Sequence, residues 1–575
     1  MNKFFITDKK VPIIDPLGAS GFRIPIAFLK DKYNIKKDLS NDLELSSGEN
    51  PLYNKIFDAN DDFKKLILSQ HSLWYTTNKK YLKDTQHILK ENIPISPPYE
   101  KIMTMRSNNN NLEDFIEKYN YIGWNKLQFI NKNSQAMQYM SMYNICSPLL
   151  SLALPIFMLI IPFFMIKLQN NSVTWETYFN HLQLVLRNHS LGQIFFIKSA
   201  TLDKQIMISI SFIFYLVQVY FNFQSCIKFV KNMVNMHEHI FCVRDYLNST
   251  ILSFTSIEKN WSIYDSYKPF IDNCSKVCIK ANTICKELNK ISCLSTSFSK
   301  MCELGYVIRA YYMINTDPEW KETIEFCIYY NSYMHSLSCL KKKIGCMINF
   351  CKYGKTTSFK KLTYPHINFA DAVTNDVVID KNIIITGPNA AGKTTILKSL
   401  MINVILCQQY GCGYFKKATI FPYNVLSSYI NIPDTSGRDS LFQAEASRCK
   451  AILDDIEIDS NKRHLCIFDE LFSGTNPYEA IGAATAYLKY IGSKNNIKFI
   501  LTTHFLDLCK RLDKNNNVKN MQMQVKENDD LNFTYTYKMI SGISSIKGGI
   551  KVLKDLKYPH SIIDESLSNI ADLKM

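Results

Sequence analysis

No two cysteines in this 575-residue chain stand in a C-x-x-C pair, although it contains 17 of them. So many cysteines in so long a chain do not make a secreted disulfide framework. Cys274, Cys278 and Cys285 fall at helical spacing instead, so most are expected to be reduced thiols and the bulk of the chain cytosolic. A basic region followed by an unbroken apolar run is missing from Met1–Asp8, which argues against a secretory signal there. Charged residues are scarce at 21%, there is no internal repeat, and low complexity is limited to Asn108–Asn111 and Asn515–Asn517. Against these shortages stands a 46% apolar fraction, enough to build substantial cores and to exclude a disordered chain. The length suggests two to four domains.

The formal charge of +16 is unevenly spread. Residues 361–575 hold 25 Lys and Arg against 22 Asp and Glu, whereas the preceding 360 hold 42 against 29. The basic excess therefore lies with the most apolar part of the chain, a distribution that suits a membrane surface as well as it suits nucleic acid.

Ile145–Ile166 is a run of 22 residues without a charge. Hydrocarbon about 30 Å thick needs roughly 20 such residues in a helix. Pro148, Pro155 and Pro162 interrupt the run, but prolines are tolerated in membrane spans. Ile206–Phe223 is a second, shorter candidate, with Lys204 before it and Lys228 and Lys231 after it as interfacial anchors. Together they would form a hairpin with Lys167–Gln205 opposite both termini; buried core helices are the alternative. Around them Leu66–Lys90, Leu112–Met142 and Phe229–Cys351 carry helical apolar spacing.

The chemistry is concentrated in the last third. Asn382–Thr386 (NIIIT) predicts a strand, followed by Gly387-Pro388-Asn389-Ala390-Ala391-Gly392-Lys393-Thr394-Thr395 and an apolar-periodic helix over Thr395–Leu406. This is G-x-x-x-x-G-K-[ST] in its strand–loop–helix context, so backbone N–H groups would cradle phosphates. Lys393 would reach the β and γ oxygens of ATP, and the Thr394 hydroxyl would ligate Mg²⁺. A second strand, Leu465–Phe468, ends in Asp469 and Glu470, suited to the metal shell and to polarising the attacking water. A third, Lys498–Thr503, delivers His504 to the ligand-binding edge of a mostly parallel sheet, where it could sense the γ-phosphate.

ITGPNAAGKTT, LCIFDELFSGTNPYEA and LTTHF in this order resemble the MutS branch of the ABC-type ATPases. Asn375-Asp376-Val377, Gln409-Tyr410-Gly411-Cys412 and Ser440-Leu441-Phe442-Gln443-Ala444-Glu445 are similar to further elements of that family. A weaker match, Asp42 to Glu44 with Pro51–Tyr53 and Trp74, is similar to the start of its helical core. The resemblance implies a P-loop α/β fold, a dimer with composite sites, and DNA as a possible partner. It also implies that Ser440 acts in trans on the γ-phosphate, that Gly474-Thr475-Asn476 lines the seam, and that the stretch from about 535 to 575 supplies dimerisation helices. Two positions depart from the pattern. Ala372 stands where an adenine-stacking aromatic is usual, with Phe369 nearby, and Ala391 replaces a loop glycine and fits only at negative φ.

About 145 residues precede the first apolar run, too few for a mismatch-probing domain, a connector and the core, and Phe115-Ile116-Glu117 lies inside a helical pattern. Mismatch reading is therefore not expected of this chain. The domain layout expected is a helical region over 1–144, a membrane hairpin over 145–223, a helical lever region over 224–355 and the ATPase domain over 356–575. The leading expectation is a dimeric, membrane-anchored ATPase with its nucleotide domain on the cytosolic side. A soluble cytosolic or nuclear DNA-repair factor, with the apolar runs as core, is the first alternative. A transporter subunit is the second, though no L-S-G-G-Q signature occurs.

Overall fold

A computed structural model describes residues 21–575 apart from 109–111, 169–172, 190, 294–297, 369, 431, 433–440, 514–516, 528–532, 545, 547–552, 555 and 573–575. Ser440 and Phe369 therefore lie outside the described residues, as do Gly437 and Arg438. The chain divides into two compact units that cut across the expected linear order. One comprises residues 1–96, 252–276 and 326–575; the other comprises 97–251 and 277–325. The described N-terminal segment, residues 21–96, thus falls in the same unit as the C-terminal α/β domain.

In the first unit the described strands are β1 (Lys32–Asn34), β2 (Trp74–Thr76), β3 (Asn349–Phe350), β4 (Lys352–Tyr353), β5 (Thr357–Leu362), β6 (Asn375–Ile379), β7 (Asn382–Thr386), β8 (Cys412–Gly413), β9 (Lys417–Ile420), β10 (Val425–Tyr429), β11 (His464–Asp469), β12 (Ile497–Thr503), β13 (Val518–Glu527) and β14 (Phe533–Ser541). Six of them form the main sheet in the order β10-β11-β12-β7-β13-β14, parallel except for the final hairpin. Three of its four inner strands read NIIIT, HLCIFD and IKFILTT, the near-continuous apolar runs that parallel strands covered on both faces require. On one face Ile384, Cys466, Phe468, Phe499 and Leu501 meet helices Leu441–Ile458, Pro477–Gly492 and Leu506–Asp513. Helix Lys393–Gln409 lies against the sheet on the other side, buried from Ile396 onward except at Lys398. A second sheet, ordered β4-β9-β5-β6, flanks the first.

The expected helix over Leu66–Lys90 is interrupted. Helix Leu68–His71 stops at β2, which pairs with β1, and Asn78 caps a new helix, Lys79–Lys90, through the N–H groups of Lys80 and Tyr81. The helices expected from about 535 begin later, because β14 runs to Ser541 and a described helix covers His560–Asp572.

The N-terminal segment is bolted to the nucleotide domain by polar contacts. Gln409 Nε2 donates to the carbonyls of His71 (2.6 Å) and Trp74 (2.8 Å), and Tyr53 donates to its Oε1 (3.0 Å). Asp42 accepts from Ser428 (2.6 Å) and pairs with Arg448 (3.3 Å), while Glu44 pairs with Lys398 (3.0 Å). These contacts give the weak match around Asp42 and Glu44 a structural role.

In the second unit helix Ser134–Leu168 is bent by 69° between Ser134–Ala153 and Pro155–Leu168. A proline in a helix interior removes a hydrogen bond and clashes with the preceding turn, so Pro155 accounts for the bend. The 22-residue apolar run is consequently not one straight rod. Helix Leu202–Trp261, whose residues up to 251 belong to this unit, is long and apolar enough to cross a membrane by itself, and only 6% of its apolar window is buried. The two helices run antiparallel, with Tyr215 donating to the Ser151 carbonyl (2.9 Å) and Cys226 meeting that of Ile145 (3.8 Å). Leu149, Ile156, Phe164, Ile213, Phe214 and Phe221 are each more than half exposed. Helix Leu112–Lys118 ends well short of Met142, and its Phe115 is buried among Tyr119, Tyr121 and Tyr311, which is a core position.

Candidate nucleotide-hydrolysis site

Register brings the three motifs to one edge of the main sheet. Thr386, the last residue of β7, is level with Thr503 of β12, and Thr502 is level with Asp469 of β11. The phosphate loop, both acids and His504 follow directly from these strand ends.

The loop is shaped by its glycines. Gly392 has φ +92° at the helix start, and a Cβ there would lie 3.3 Å from the Tyr537 ring. Its left-handed conformation and its close neighbour both favour glycine. Ala391 is buried and not among the residues with positive φ, meeting the condition set for alanine at that position. The strain sits one residue earlier, where Ala390 has φ +61°.

Lys393 is almost fully buried, and its ammonium donates to the carbonyls of Gly387 (3.0 Å) and Pro388 (3.2 Å). It lies 3.8 Å from Glu470 Oε1 and 3.0 Å from His504 Nε2. Burial pulls its pKa down, opposed by Glu470 and Asp469. Glu470 Oε1 is also 2.9 Å from His504 Nε2. One ring nitrogen cannot accept from Lys393 and donate to Glu470 at once, and the carboxylate is the stronger partner. We therefore assign the proton to Nε2, donated to Glu470, with Lys393 held by the two carbonyls. The His504 hydrogen bond, with Lys393 beyond it, keeps the Glu470 carboxyl below its ordinary range despite burial.

Thr394 donates to Asp469 Oδ2 (2.7 Å), and Thr502 donates to Oδ1. A hydroxyl and a carboxylate so placed are hard oxygen donors of the kind Mg²⁺ takes, with water and phosphate oxygens completing the shell.

Beside the loop lies a pocket of about 430 Å³, bounded by Asn389, Ala390, Gly392, Lys393, Thr394 and Thr395. Leu362, Tyr364, Ile367, Val373 and Tyr537 also line it and give it an apolar and aromatic wall suited to a nucleobase. Tyr364 and Tyr537 were not singled out by sequence reasoning, which searched near Ala372 and Phe369. The only signal was the period-two spacing of Tyr535 and Tyr537, and it carries no chemistry. Asn375 positions Tyr537: its amide donates to the Tyr537 carbonyl (3.0 Å) and its oxygen accepts from Met539 N (2.7 Å).

Glu445 acts as a brace. Its buried carboxylate accepts from Ser473 N (3.1 Å), Ser473 Oγ (3.0 Å) and Gly474 N (3.1 Å), fixing the loop that follows the acids. Asn476 caps the next helix through Tyr478 N (3.0 Å).

Residues 383–574 match the family described as MutS domain V. The chain is also similar to curated DNA mismatch repair proteins. It is 30% identical over 226 residues to the Saccharomyces cerevisiae DNA mismatch repair protein MSH2, covering 35% of this chain and 23% of that protein. It is 32% identical over 228 residues to the MutS of Orientia tsutsugamushi (38% and 24%) and 27% identical over 215 to that of Leuconostoc citreum (36% and 24%). The chain thus spans about a quarter of the length of the curated relatives it matches. Domain V similarity covers the phosphate loop from Gly387, both acids, Glu445 and His504; the apolar helices and the N-terminal segment lie outside it.

Proposed function

We propose that this chain is an ATP-hydrolysing switch of the MutS domain V type, working as a dimer and anchored in a membrane by its apolar helices. The observation that carries the chemistry is the convergence of Lys393, Thr394, Asp469, Glu470 and His504 on one sheet edge beside the pocket. In this reading Lys393 and the loop N–H groups neutralise the β and γ phosphates, and Thr394 and Asp469 hold Mg²⁺, which supplies charge stabilisation to the transferring phosphoryl group. Glu470 accepts a hydrogen bond from the attacking water and polarises it, and the Nε2 proton of His504 keeps that carboxylate ionised and aimed. The base would lie against Tyr364, Ile367, Val373 and Tyr537.

The dimer rests on the domain V match, and with it come the roles that the resemblance implies, Ser440 acting in trans on the γ-phosphate and Gly474-Thr475-Asn476 lining the seam. The anchor rests on exposure: apolar helix surface left uncovered over a length sufficient for hydrocarbon is stabilised by lipid at about 25 cal/mol per Å². ATP and Mg²⁺ then require the nucleotide domain to face the cytosol. A role on DNA is the second reading, favoured by the relatives named DNA mismatch repair proteins. Such binding would come from Lys and Arg contacts and fall steeply with salt.

The test is phosphate release by the full chain in lipid nanodiscs across a dilution series, with alkaline-carbonate extraction alongside. Turnover per protomer should fall on dilution and the protein should stay with the membrane. Constant turnover per protomer sinks the composite site, extraction into carbonate sinks the anchor, and absence of turnover at any concentration sinks the switch.

A further inference from the structure

A second pocket, of about 460 Å³, lies at the opposite edge of the main sheet, where β7, β11 and β12 begin. Arg463, Lys498 and Lys355 line it, with Asn495, Asn496 and the single acid Asp380. None of the three cations forms an ion pair among the described residues. Arg463 is half-buried with its guanidinium stacked 3.8 Å over the Phe421 ring, and the groups that favour its charge are two tyrosines, Tyr423 and Tyr33, with no carboxylate among them. Lys498 is also half-buried, and its one described contact is donation to the Asp380 carbonyl (2.9 Å). The Asp380 carboxylate accepts from its neighbour's Lys381 N–H (3.0 Å).

The frame is rigid. Arg463 N donates to Asn424 Oδ1 (3.1 Å), and the Asn496 amide donates to the carbonyls of Ser460 (2.8 Å) and Lys462 (2.5 Å). A half-buried guanidinium held flat on a ring, with unpaired N–H donors and a neighbouring ammonium, matches the planar fork that phosphate oxygens accept from. Asp380 is the one carboxylate that favours the Lys498 charge and none favours that of Arg463, so these partly desolvated cations outnumber their counter-charge, which is costly unless an anion completes them.

We propose that this pocket binds a phosphate-bearing anion through Arg463, Lys498 and Lys355, separately from the nucleotide loop. The phosphate could be a free polyphosphate or belong to a nucleic-acid backbone, which shares the same oxygen chemistry.

The test is lysine acetylation footprinting of the wild-type full chain by mass spectrometry, with and without inorganic pyrophosphate in magnesium-free buffer. Pyrophosphate should slow modification of Lys498 and Lys355 at least tenfold, and Arg463→Gln should abolish that protection while leaving Lys393 protection intact. A single-stranded 12-mer in a second arm identifies the source: protection at lower phosphate concentration than pyrophosphate needs assigns a nucleic-acid backbone, and protection by pyrophosphate alone assigns a free polyphosphate. Unchanged Lys498 and Lys355 reactivity at millimolar concentration of both probes, or protection that survives Arg463→Gln, overturns the proposal.

Discussion

Glu445 is where a small change should have the most readable consequence. Its carboxylate accepts three hydrogen bonds from Ser473 and Gly474, and it is 2% exposed, so water cannot replace it from the helix side. Glu445→Ala removes all three acceptors. Ser473 itself is exposed, so its hydroxyl and N–H can turn to solvent, whereas the half-buried Gly474 N–H has less access. Hydrogen bonds to a charged group contribute about 1.5–3 kcal/mol each, and discounting the solvated pair leaves about 3 kcal/mol of local destabilisation. Glu445→Gln keeps one oxygen for Ser473 but turns an NH₂ toward the Gly474 N–H, so it should cost about 2 kcal/mol. Because 1.4 kcal/mol is tenfold, amide exchange at Gly474 should speed up about 100-fold in the alanine variant and about 30-fold in the glutamine variant. Hydrogen-exchange mass spectrometry on peptides spanning residues 471–478 reads this directly. A change below threefold in Glu445→Ala, or equal changes in both variants, would refute the brace.

Three further outcomes follow from the site. Glu470→Gln should keep ATP affinity within about threefold while lowering turnover by about 10²–10⁴, whereas Lys393→Ala should weaken ATP binding itself; equal affinity in wild type and Lys393→Ala, by equilibrium dialysis, would defeat the phosphate-loop assignment. Ala390→Gly should stabilise the loop by roughly 1 kcal/mol, because φ +61° costs alanine more than glycine, and thermal unfolding of the nucleotide domain should move up accordingly. The Glu470 carboxyl is held below its ordinary 4.5, chiefly by His504, so its pairing stabilises the fold above pH 4.5 and is lost as pH falls through the lower folded value. His504→Ala removes the main depressing contact but not the burial, and the ¹³C titration of Glu470 should therefore shift upward; an unmoved midpoint would show that His504 does not set it.

The sheet edge that carries the candidate site was legible in the sequence, because the motifs that build it are local. Gly387 to Thr395 needs its glycines where the backbone turns left-handed, and an apolar strand ending in Asp469-Glu470 has one direction in which to point its acids. Strand identity and parallel pairing followed from the unbroken apolar runs at 382–386, 465–468 and 498–503. What lay beyond the sequence was everything set by contacts between distant segments. The wall of Tyr364 and Tyr537 forms only when β14 pairs with β13 beside the loop, and β14 replaced the start of an expected helical tail. Leu66–Lys90 shows helical spacing, but Lys32–Asn34 draws Trp74–Thr76 into a strand, a pairing energy that no local window contains. Pro155 was read as tolerable within a span, whereas the structure bends the helix there by 69°. The described N-terminal segment meets the C-terminal domain through Gln409, Arg448 and Lys398, side chains more than 300 positions away. Residue types and their periods determine which chemistry a chain can perform and which segments are apolar. Only the closing of long loops decides which of those segments share a core, and its entropic cost and contact energy are properties of the folded whole.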